Sequence, residues 1–325
     1  MESCLAYQEI IPISPDPEDQ SVFINHLRQA WRKWGRVSST SRLPSIIRRV
    51  LSVTEPTTRV HHYRASETPH ANRTGSIVVL SANLWHDWPF HRRQIKRLET
   101  FAGLVEQVKA DIILLQEVSR TATLKVDEWL AGRLGMSSMY SRANGNVKIG
   151  FEEGLAVLSR FPLSEPKLTH LRPTMKPFVR RMALGARAST PAGHFWAFSV
   201  HLGINNRQNI AQQASLRHML ATLPNELPVL VGGDFNSHES SPQIHENRRL
   251  WIDTFRQLHP GAEATTHALN LPWGGRLFHR RLDYIYLRSA MPGWEILETR
   301  HLRCEQQPHS DHHAVYTRRA FVANN

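Results

Sequence analysis

The stretch Val229-Leu-Val-Gly-Gly-Asp-Phe-Asn-Ser237 carries the clearest structural signal in the chain. Its apolar start predicts a short buried strand, which ends at a pair of glycines. Asp234 and Asn236 then stand two positions apart, so their side chains emerge on the same face of an extended segment. A carboxylate beside an amide at the end of a buried strand can bind a cation or take a proton from water. An Asx-turn that closes an ordinary strand is the alternative.

The composition is that of a soluble and strongly basic chain. Of its 325 residues, 41% are hydrophobic and 21% are charged, which is typical of a globular protein. The formal net charge of +12 favours polyanionic partners, meaning nucleic acid, acidic lipid or phosphorylated ligands. No apolar run is long enough for a transmembrane helix, and the N-terminus lacks the pattern of a secretory signal. Cys4 and Cys304 show no metal-binding spacing, which favours a reducing cytoplasm. A monomer is expected.

Residues 1–75 differ from the rest and are expected to form a basic N-terminal extension and linker before a single domain at 76–325. Residues 20–54 contain seven Lys or Arg and no acid, and residues 54–75 are polar without an apolar period. Three interpretations remain open for the basic part: a helix packed on the domain, a segment that meets an anionic membrane surface or a partner, or disorder. Its apolar residues at near-helical spacing are Phe23, Leu27, Trp31 and Trp34.

From residue 76 onward, short apolar runs alternate with amphipathic stretches. The predicted strands are 77–80, 111–115, 154–159, 182–189, 195–201, 229–231, 282–287 and 314–316. The predicted helices are 92–109, one around 129–134, and 206–223. A turn at 190–193 joins two of the strands, whereas other strands are separated by helices. This mixture predicts a layered α/β or α+β domain.

Polar side chains follow several of these predicted strands at the point where each strand ends. Because strand ends at one edge of a sheet converge, these side chains could line one cleft. Carboxylates and amide oxygens make a hard site that suits Mg²⁺ or Mn²⁺, and no His/Cys cluster of the zinc type is present. A histidine paired with a buried aspartate can act as an oriented general acid. The residues concerned are Asn83, Glu117, His201, Asp234, Asn236, Asp283, Asp311 and His312.

Five motifs in a fixed order carry a resemblance to a known family. They are Asn83, Leu115-Gln-Glu117, Gly233-Asp-Phe-Asn236, Leu282-Asp-Tyr284 and Ser310-Asp-His312. Across about residues 76–318 the chain resembles the endonuclease/exonuclease/phosphatase superfamily, which includes deoxyribonuclease-I-like enzymes. The resemblance implies a four-layer α/β sandwich, with two packed mixed β-sheets flanked by helices. It also implies a divalent-metal-dependent phosphoesterase.

The same resemblance implies a role for each motif residue. Glu117 would be the main ligand of a Mg²⁺ or Mn²⁺ ion, with Asn83 and Asp311 near the same ion. Asp234 would orient or deprotonate the attacking water. Asn236 would hold the phosphate and that aspartate.

Histidines complete the implied site. His312, oriented by Asp283, would stabilise the transition state or protonate the leaving group. His201 stands where deoxyribonuclease-I-like members have a histidine and repair nucleases have a tyrosine, which favours the former branch or the lipid enzymes. Arg181 is a candidate for phosphate contact, with a solvated surface arginine as the alternative. Weaker candidates for the cleft are Tyr140, Asn144 and Asn205.

The family does not fix the substrate, so three functions remain open. The net charge favours a nuclease or other phosphodiesterase, whose nucleic acid substrate would be bound through its phosphates. The tryptophans of the basic N-terminal segment favour a lipid or inositol-phosphate phosphoesterase. A binding module without catalytic activity is the third possibility.

Overall fold

The computed structural model describes residues 59–65, 75–146, 150–175, 179–191, 193–270, 276–288 and 294–320. The strands are β1 (His61–Tyr63), β2 (Ser76–Asn83), β3 (Ile112–Thr121), β4 (Ser137–Asn146), β5 (Phe151–Ser159), β6 (Leu163–Met175), β7 (Val179–Thr190), β8 (Gly193–His201), β9 (Val229–Asp234), β10 (Ile252–Asp253), β11 (His267–Asn270), β12 (Arg276–Arg280), β13 (Asp283–Arg288), β14 (Ile296–Leu302) and β15 (Ala314–Ala320). The helices are α1 (Gln94–Val108), α2 (Val126–Leu134), α3 (Asn206–Ala221), α4 (Pro242–Leu250) and α5 (Thr254–Leu258). Among these residues, no helix is both long enough and apolar enough to cross a membrane.

The first sheet has seven strands in the order β1-β4-β5-β3-β2-β15-β14. Strands β2 and β3 run parallel, and the other neighbouring pairs run antiparallel. The parallel pair needs a crossover, which α1 supplies. Leu98, Phe101 and Val105 of α1 pack with Leu80 and Leu115 on the outer face of this sheet. The apolar stripe of α1 therefore covers one side of the first sheet.

The second sheet repeats this arrangement with six strands in the order β10-β13-β9-β8-β7-β6. Here β8 and β9 form the parallel pair, and α3 is the crossover between them. Leu216 and Leu220 of α3 pack with Val231 and Phe235 on the outer face. A smaller pair of strands, β11 and β12, lies outside both sheets.

The inner faces of the two sheets pack against each other. Val79 and Leu114 of the first sheet share one buried cluster with Leu184 and Leu230 of the second. Helices, sheet, sheet and helices thus form four layers, with the main core between the sheets. The predicted α/β sandwich is confirmed.

The inner packing is close at Gly232, near the carboxyl end of β9. A Cβ atom at this position would lie 2.7 Å from Leu114 Cδ1 of the first sheet, so a side chain here would force Leu114 to move. Glycine therefore lets β9 approach the first sheet where the strand ends. Asp234 follows two residues later, on the same inward face.

One predicted boundary needs correction. The sequence predicts a linker at 54–75, but β1 lies within this range and pairs antiparallel with β4. Val60 also packs on the core between the sheets. The folded domain therefore begins before residue 76, and a three-residue edge strand is too short to show an apolar period. The basic segment at 20–54 lies outside the described residues.

A cluster of ion pairs lies next to the start of β13. Glu239 accepts hydrogen bonds from Arg256 at 2.6 Å and Arg248 at 2.9 Å, and Arg281 Nη1 lies 3.6 Å from its carboxylate. Arg281 is almost fully buried and forms two further hydrogen bonds to Asp253, of 2.8 and 2.6 Å. Burial disfavours the charge of Glu239, but the hydrogen bonds from Arg256 and Arg248 outweigh it and lower the pKa to about 2. These pairs fix the strand that carries Asp283.

We expect Glu239→Gln to lower the free energy of unfolding at pH 7 by about 2 kcal/mol, because the arginines lose a charged acceptor. The folded-state pKa of Glu239 lies below its ordinary value of 4.5. Its stabilisation is therefore present above that value and is lost as the pH falls through about 2. Urea unfolding at pH 7 and at pH 3 measures the loss and its pH dependence.

The matched control for this variant is Glu246→Gln. Glu246 pairs with Arg249 at the surface, where the side chains are 49% and 75% exposed. A solvated pair contributes little, so we expect a change below about 0.5 kcal/mol. Equal losses of unfolding free energy from Glu239→Gln and Glu246→Gln at pH 7 would contradict the inference that the ion pairs of Glu239 stabilise the fold.

Candidate active site

The predicted site residues meet at one open edge between the two sheets. Asp234, at the end of β9, stands in register with His201 on β8 and with Asp283 on β13. In the first sheet, Asn83 ends β2 directly opposite Gln116 of β3. The two parallel pairs place the carboxyl ends of their strands at this edge, where open α/β sheets bind ligands.

Glu117 reaches the cleft through a β-bulge. The register of β3 against β5 shifts between Leu115 and Val118, which leaves one extra residue on β3. Glu117 lies in this bulge with a φ of 53°, a left-handed conformation that non-glycine residues rarely adopt. Strain of this kind concentrates at functional positions. The bulge re-aims the carboxylate toward the strand ends of the second sheet.

The amide of Asn83 joins the two sheets. Its Nδ2 donates to Glu117 Oε1 at 3.1 Å and to Asp234 Oδ2 at 3.2 Å. Its Oδ1 accepts a hydrogen bond of 3.0 Å from the Trp85 backbone N–H. Asn83 therefore holds the two carboxylates at a fixed separation, and its oxygen is oriented by the backbone after β2.

Asp234 is a buried carboxylate in a position to accept a proton. Burial, and then the negative charge of Asp283, raise the pKa of Asp234 to about 7. Its Oδ1 accepts a hydrogen bond of 2.8 Å from the Asn236 backbone N–H. Asn236, which has a φ of 48°, also donates from Nδ2 to the Leu202 carbonyl at 2.9 Å. Asn236 thus orients Asp234 through its backbone and has a second amide hydrogen left to donate.

Asp283 and His312 form a buried pair. His312 Nδ1 lies 2.8 Å from Asp283 Oδ2, and the Thr266 hydroxyl donates to the same oxygen at 2.6 Å. Burial opposes the charged imidazole, but the carboxylates of Asp283 and Asp234 outweigh it and raise the pKa of His312 to about 10. The ring is therefore an imidazolium at neutral pH. Ligand atoms of Asp234, Asp283 and His312 lie within 4.8 Å of one another.

Asp311 stands beside this pair. Its Oδ1 accepts a hydrogen bond of 3.1 Å from the Ser310 hydroxyl, and its Oδ2 lies 3.6 Å from His267 Nε2. Burial acts against its charge, but the bond to His267 and the charge of His312 outweigh it and lower the pKa of Asp311. Asp311 is therefore ionised at neutral pH. The ligand atoms of His267, Asp311 and His312 also lie within 4.8 Å of one another.

The donor set fits a hard divalent cation. Burial, and then the negative charge of Glu153, raise the pKa of Glu117, and the nearby His86 imidazole offsets this rise only in part. Carboxylate oxygens without thiolates are the ligands that Mg²⁺ and Mn²⁺ prefer. Among the described residues, Asp311 belongs to a cluster of possible ligand atoms with His267 and His312, whereas Glu117 belongs to no such cluster. The amide oxygen of Asn83 accepts one hydrogen bond from the Trp85 N–H and keeps a second lone pair that could face an ion, while its amide nitrogen holds Glu117.

On the other flank of the cleft, Glu153 lies between two histidines. Its carboxylate is 3.7 Å from His86 Nε2 and 3.9 Å from His201 Nδ1, and it accepts a hydrogen bond of 3.2 Å from Asn144. His201 Nε2 lies 3.6 Å from Asp234 Oδ2. Burial, followed by the nearby positive charge of Arg181, holds the pKa of His201 well below its ordinary value. His201 is therefore a neutral donor at neutral pH.

Arg181 lies close enough to His201 to act on the pKa of that histidine. It precedes Met182, which pairs in register with His201 across β7 and β8. Among the described residues, the buried Nε of Arg181 has no hydrogen-bond partner. An anionic ligand in the cleft would supply the missing acceptor.

Four residues of the cleft were not among the sequence-predicted site residues: His86, Glu153, Thr266 and His267. His86 lies in the loop after β2, and its Nε2 is 3.5 Å from Glu117 Oε2. Glu153 lies inside β5, paired with Ser119 just beyond the β3 bulge, and no sequence signal marks its position. Thr266 and His267 lie before and on β11, whose position the sequence does not predict.

The weaker sequence candidates divide between the cleft and other places. Asn144 belongs to the cleft through its bond to Glu153. Asn205 instead caps α3, where its side chain accepts a hydrogen bond from the Gln208 N–H at 3.2 Å. Tyr140 is buried in the core of the first sheet beneath the Arg120 guanidinium, which lies 4.0 Å from the ring centre.

Comparison with known sequences gives a consistent family assignment. The sequence model described as "Endonuclease/Exonuclease/phosphatase family" matches residues 80–303. This range includes Asn83, Glu117, Asp234 and Asp283 and stops before His312. YbhP, an uncharacterized protein of Escherichia coli strain K12, is 29% identical over 236 residues, which cover 68% of this chain and 88% of YbhP.

Solved structures show the same fold. The catalytic domain of human nocturnin aligns with a TM-score of 0.62 at 18% identity, over 82% of this chain and 100% of that domain. D. rerio TDP2, complexed with a single-strand DNA product, aligns with a TM-score of 0.60 at 16% identity, over 75% of this chain and 98% of that protein. The sequence model covers more than half of the 325 residues, and its motifs converge on one cleft. The chain therefore belongs to the endonuclease/exonuclease/phosphatase family.

Proposed function

We propose that this chain is a divalent-metal-dependent phosphodiesterase that hydrolyses phosphodiester bonds by water attack. One observation carries the proposal. A buried carboxylate with a pKa of about 7 and a buried imidazolium with a pKa of about 10 face the same cleft as Glu117. Two groups whose pKa values are pushed apart in this way are suited to act as base and acid in one reaction.

Glu117 and Asp311 would hold the metal ion. Bound there, Mg²⁺ or Mn²⁺ would neutralise negative charge at the phosphoryl oxygens. The Asn83 amide keeps Glu117 in place from one side, and the backbone N–H of His86 donates to Glu117 Oε2 at 3.3 Å from the other. The bulged carboxylate is thus held in one orientation before any ligand binds.

Asp234 is the base in this proposal. Its raised pKa makes it a better proton acceptor than an ordinary aspartate near neutral pH. The Asn236 N–H and the Asn83 amide hold its two oxygens, which orients the carboxylate toward the attacking water. The remaining amide hydrogen of Asn236 is available to a phosphoryl oxygen.

His312 is the acid. The Asp283 carboxylate holds Nδ1, which leaves the Nε2 proton for the leaving oxygen. His201, neutral at this pH, and Arg181 supply hydrogen-bond donors to the phosphoryl group as charge develops on it.

Nucleic acid is the substrate class that we favour. The net charge of +12 suits a polyanion whose phosphates repeat along the chain. The D. rerio TDP2 structure holds a single-strand DNA product, which shows that this fold accommodates such a strand. A lipid or inositol-phosphate substrate is the alternative, favoured by Trp31 and Trp34 of the N-terminal segment.

A panel of assays tests the proposed function. The purified chain is incubated with Mg²⁺ or Mn²⁺ and plasmid DNA, single-stranded DNA, RNA, a phosphoinositide, sphingomyelin or bis(p-nitrophenyl) phosphate. We expect metal-dependent cleavage of the small diester and of a nucleic acid. Cleavage of lipid substrates alone would overturn the nucleic acid assignment, and no cleavage of any diester would overturn the phosphodiesterase.

We expect Glu117→Gln to lower kcat/KM by at least about 100-fold, because a charged metal ligand is lost. Its melting temperature should not fall, since the variant removes a buried carboxylate whose charge burial disfavours. Calorimetric titration with Mn²⁺ should show weaker binding. Wild-type Mn²⁺ affinity and rate in the variant would exclude Glu117 as the metal ligand.

If Asp283 acts through His312, the two residues form one catalytic unit. We expect Asp283→Asn and His312→Gln each to lower kcat by about 100-fold or more, with the double variant at most about tenfold below the worse single variant. Asp283→Asn should also lower the pKa of His312, so the alkaline limb of the pH–rate profile moves to lower pH. Fully additive losses, or an unmoved alkaline limb, would show that the residues act separately.

The basic N-terminal segment is proposed to serve localisation rather than chemistry. Deletion of residues 1–58 leaves β1 in place and removes the segment. We expect an unchanged rate on the small diester and an unchanged melting temperature, with weaker sedimentation on anionic vesicles, since each Lys or Arg contributes about 1 kcal/mol at such a surface. A melting temperature lower by several degrees would instead show that the segment belongs to the core.

A further inference from the structure

A groove lies beside the metal cleft, outside the residues considered above. Its volume is about 770 Å³, which is within the range of ligand sites. One wall is the loop from Trp88 to Arg93 together with the first turn of α1, and the other is the turn from Thr121 to Leu124 at the end of β3. We call it the Trp88 groove.

Trp88 presents an aromatic surface in this groove. Its side chain is 48% exposed, which is unusual for a tryptophan in a folded domain. The indole stacks on Phe151, with ring centres 5.4 Å apart and planes 26° from parallel. Phe151 is buried, so it backs the indole and holds it in place. An aromatic ring fixed on one side and open to solvent elsewhere is a platform for a second ring.

The same aromatic group links the groove to the metal cleft. The ring of His86 lies 5.0 Å from that of Phe151, and His86 Nε2 lies 3.5 Å from Glu117 Oε2. Contacts through Phe151 and His86 therefore connect Trp88 to the proposed metal ligand.

The charge of the groove suits an anion. Arg93 and Lys96 line it, and its lining includes no acid. Among the described residues, neither side chain forms an ion pair. The opposite wall carries the exposed Thr123, whose hydroxyl can donate to a phosphate oxygen, whereas the Thr121 hydroxyl bonds within its own turn. The only other large exposed apolar side chain in the lining is Ile95, so the groove is not a broad apolar face.

We propose that the Trp88 groove binds a stretch of single-stranded nucleic acid next to the scissile phosphate. One unpaired base stacks on Trp88, and the adjoining phosphates contact Arg93 and Lys96. Base stacking requires a base outside a duplex, which selects a single strand over double-stranded DNA. This inference rests on the proposed phosphodiesterase function and names its substrate class.

Direct binding tests the groove without catalysis. Fluorescence anisotropy with a fluorescein-labelled 12-nucleotide oligo(dT) is measured on the full chain in buffer with a metal chelator, which prevents cleavage. We expect Trp88→Ala to weaken binding by about fivefold or more, the loss seen when one stacking side chain is removed. Trp88→Phe, which retains a ring, should recover most of that loss. The matched control is Leu250→Ala, an exposed apolar residue at the end of α4, which should bind as the wild type does.

Salt dependence tests the two cations. For a single strand, each phosphate contact adds about 0.7 to the slope of log affinity against log salt. The double variant Arg93→Gln/Lys96→Gln should therefore lower that slope by about 1.4. Lys109→Gln/Arg207→Gln removes the same charge from two exposed residues away from the groove and should leave the slope unchanged.

The outcomes distinguish failure of the proposed nucleic acid groove from failure of the proposed phosphodiesterase function. If the wild type, Trp88→Ala and the Arg93/Lys96 variant bind the oligonucleotide with equal affinity, the Trp88 groove does not bind nucleic acid. This conclusion would hold even if the wild type hydrolyses diesters. Equal or tighter binding of a matched duplex by the wild type would overturn the proposed nucleic acid groove as well. Binding of phosphatidylserine vesicles that depends on Trp88, without such an effect on oligo(dT), would assign the groove to a membrane instead. Loss of oligo(dT) binding in Trp88→Ala by a chain that cleaves no diester would support the groove and overturn the proposed function.

Discussion

The cleft depends on contact between the two sheets at their carboxyl ends. The Asn83 amide from the first sheet holds Asp234 of the second sheet and Glu117 of its own sheet. One layer deeper, the Gln116 amide donates to the Ser199 hydroxyl at 2.9 Å, and that hydroxyl donates to the Leu115 carbonyl at 2.8 Å. These buried polar bonds are satisfied only at one separation of the sheets, so they fix the width of the cleft.

Within this cleft, the buried charges set the pKa values of the candidate catalytic residues. Asp234 and Asp283 lie in register on neighbouring strands. Ionising both of two buried carboxylates at such a short separation is energetically unfavourable. The imidazole of His312 bonds to Asp283 Oδ2, whereas the pKa of Asp234 is raised. In the proposed mechanism, the carboxylate that the histidine contacts decides which residue is the acid and which is the base.

The sequence predicted the central strands and the residues at their ends, because buried strands leave continuous apolar runs and the motif residues follow them directly. It did not predict β4, β6 or β14, because polar residues interrupt their apolar ones irregularly and leave no clear period of two. It also did not predict the positions of His86 and Thr266. Both enter the cleft from loops, and only tertiary contacts bring them to Glu117 and Asp283. The φ of Glu117 likewise depends on the β3–β5 register, which sequence alone does not specify.

The division of the site between two sheets has a consequence for the order of folding. Each sheet contains one parallel pair, which forms only after a helix has crossed over and which pairs residues far apart in sequence, a slow kind of contact. Glu117 belongs to the first sheet, and Asp234 and Asp283 belong to the second. An intermediate with one sheet formed therefore holds half of the cleft, whichever sheet forms first. The proposed activity would therefore arise only when the two sheets dock, and a partly folded chain would lack it.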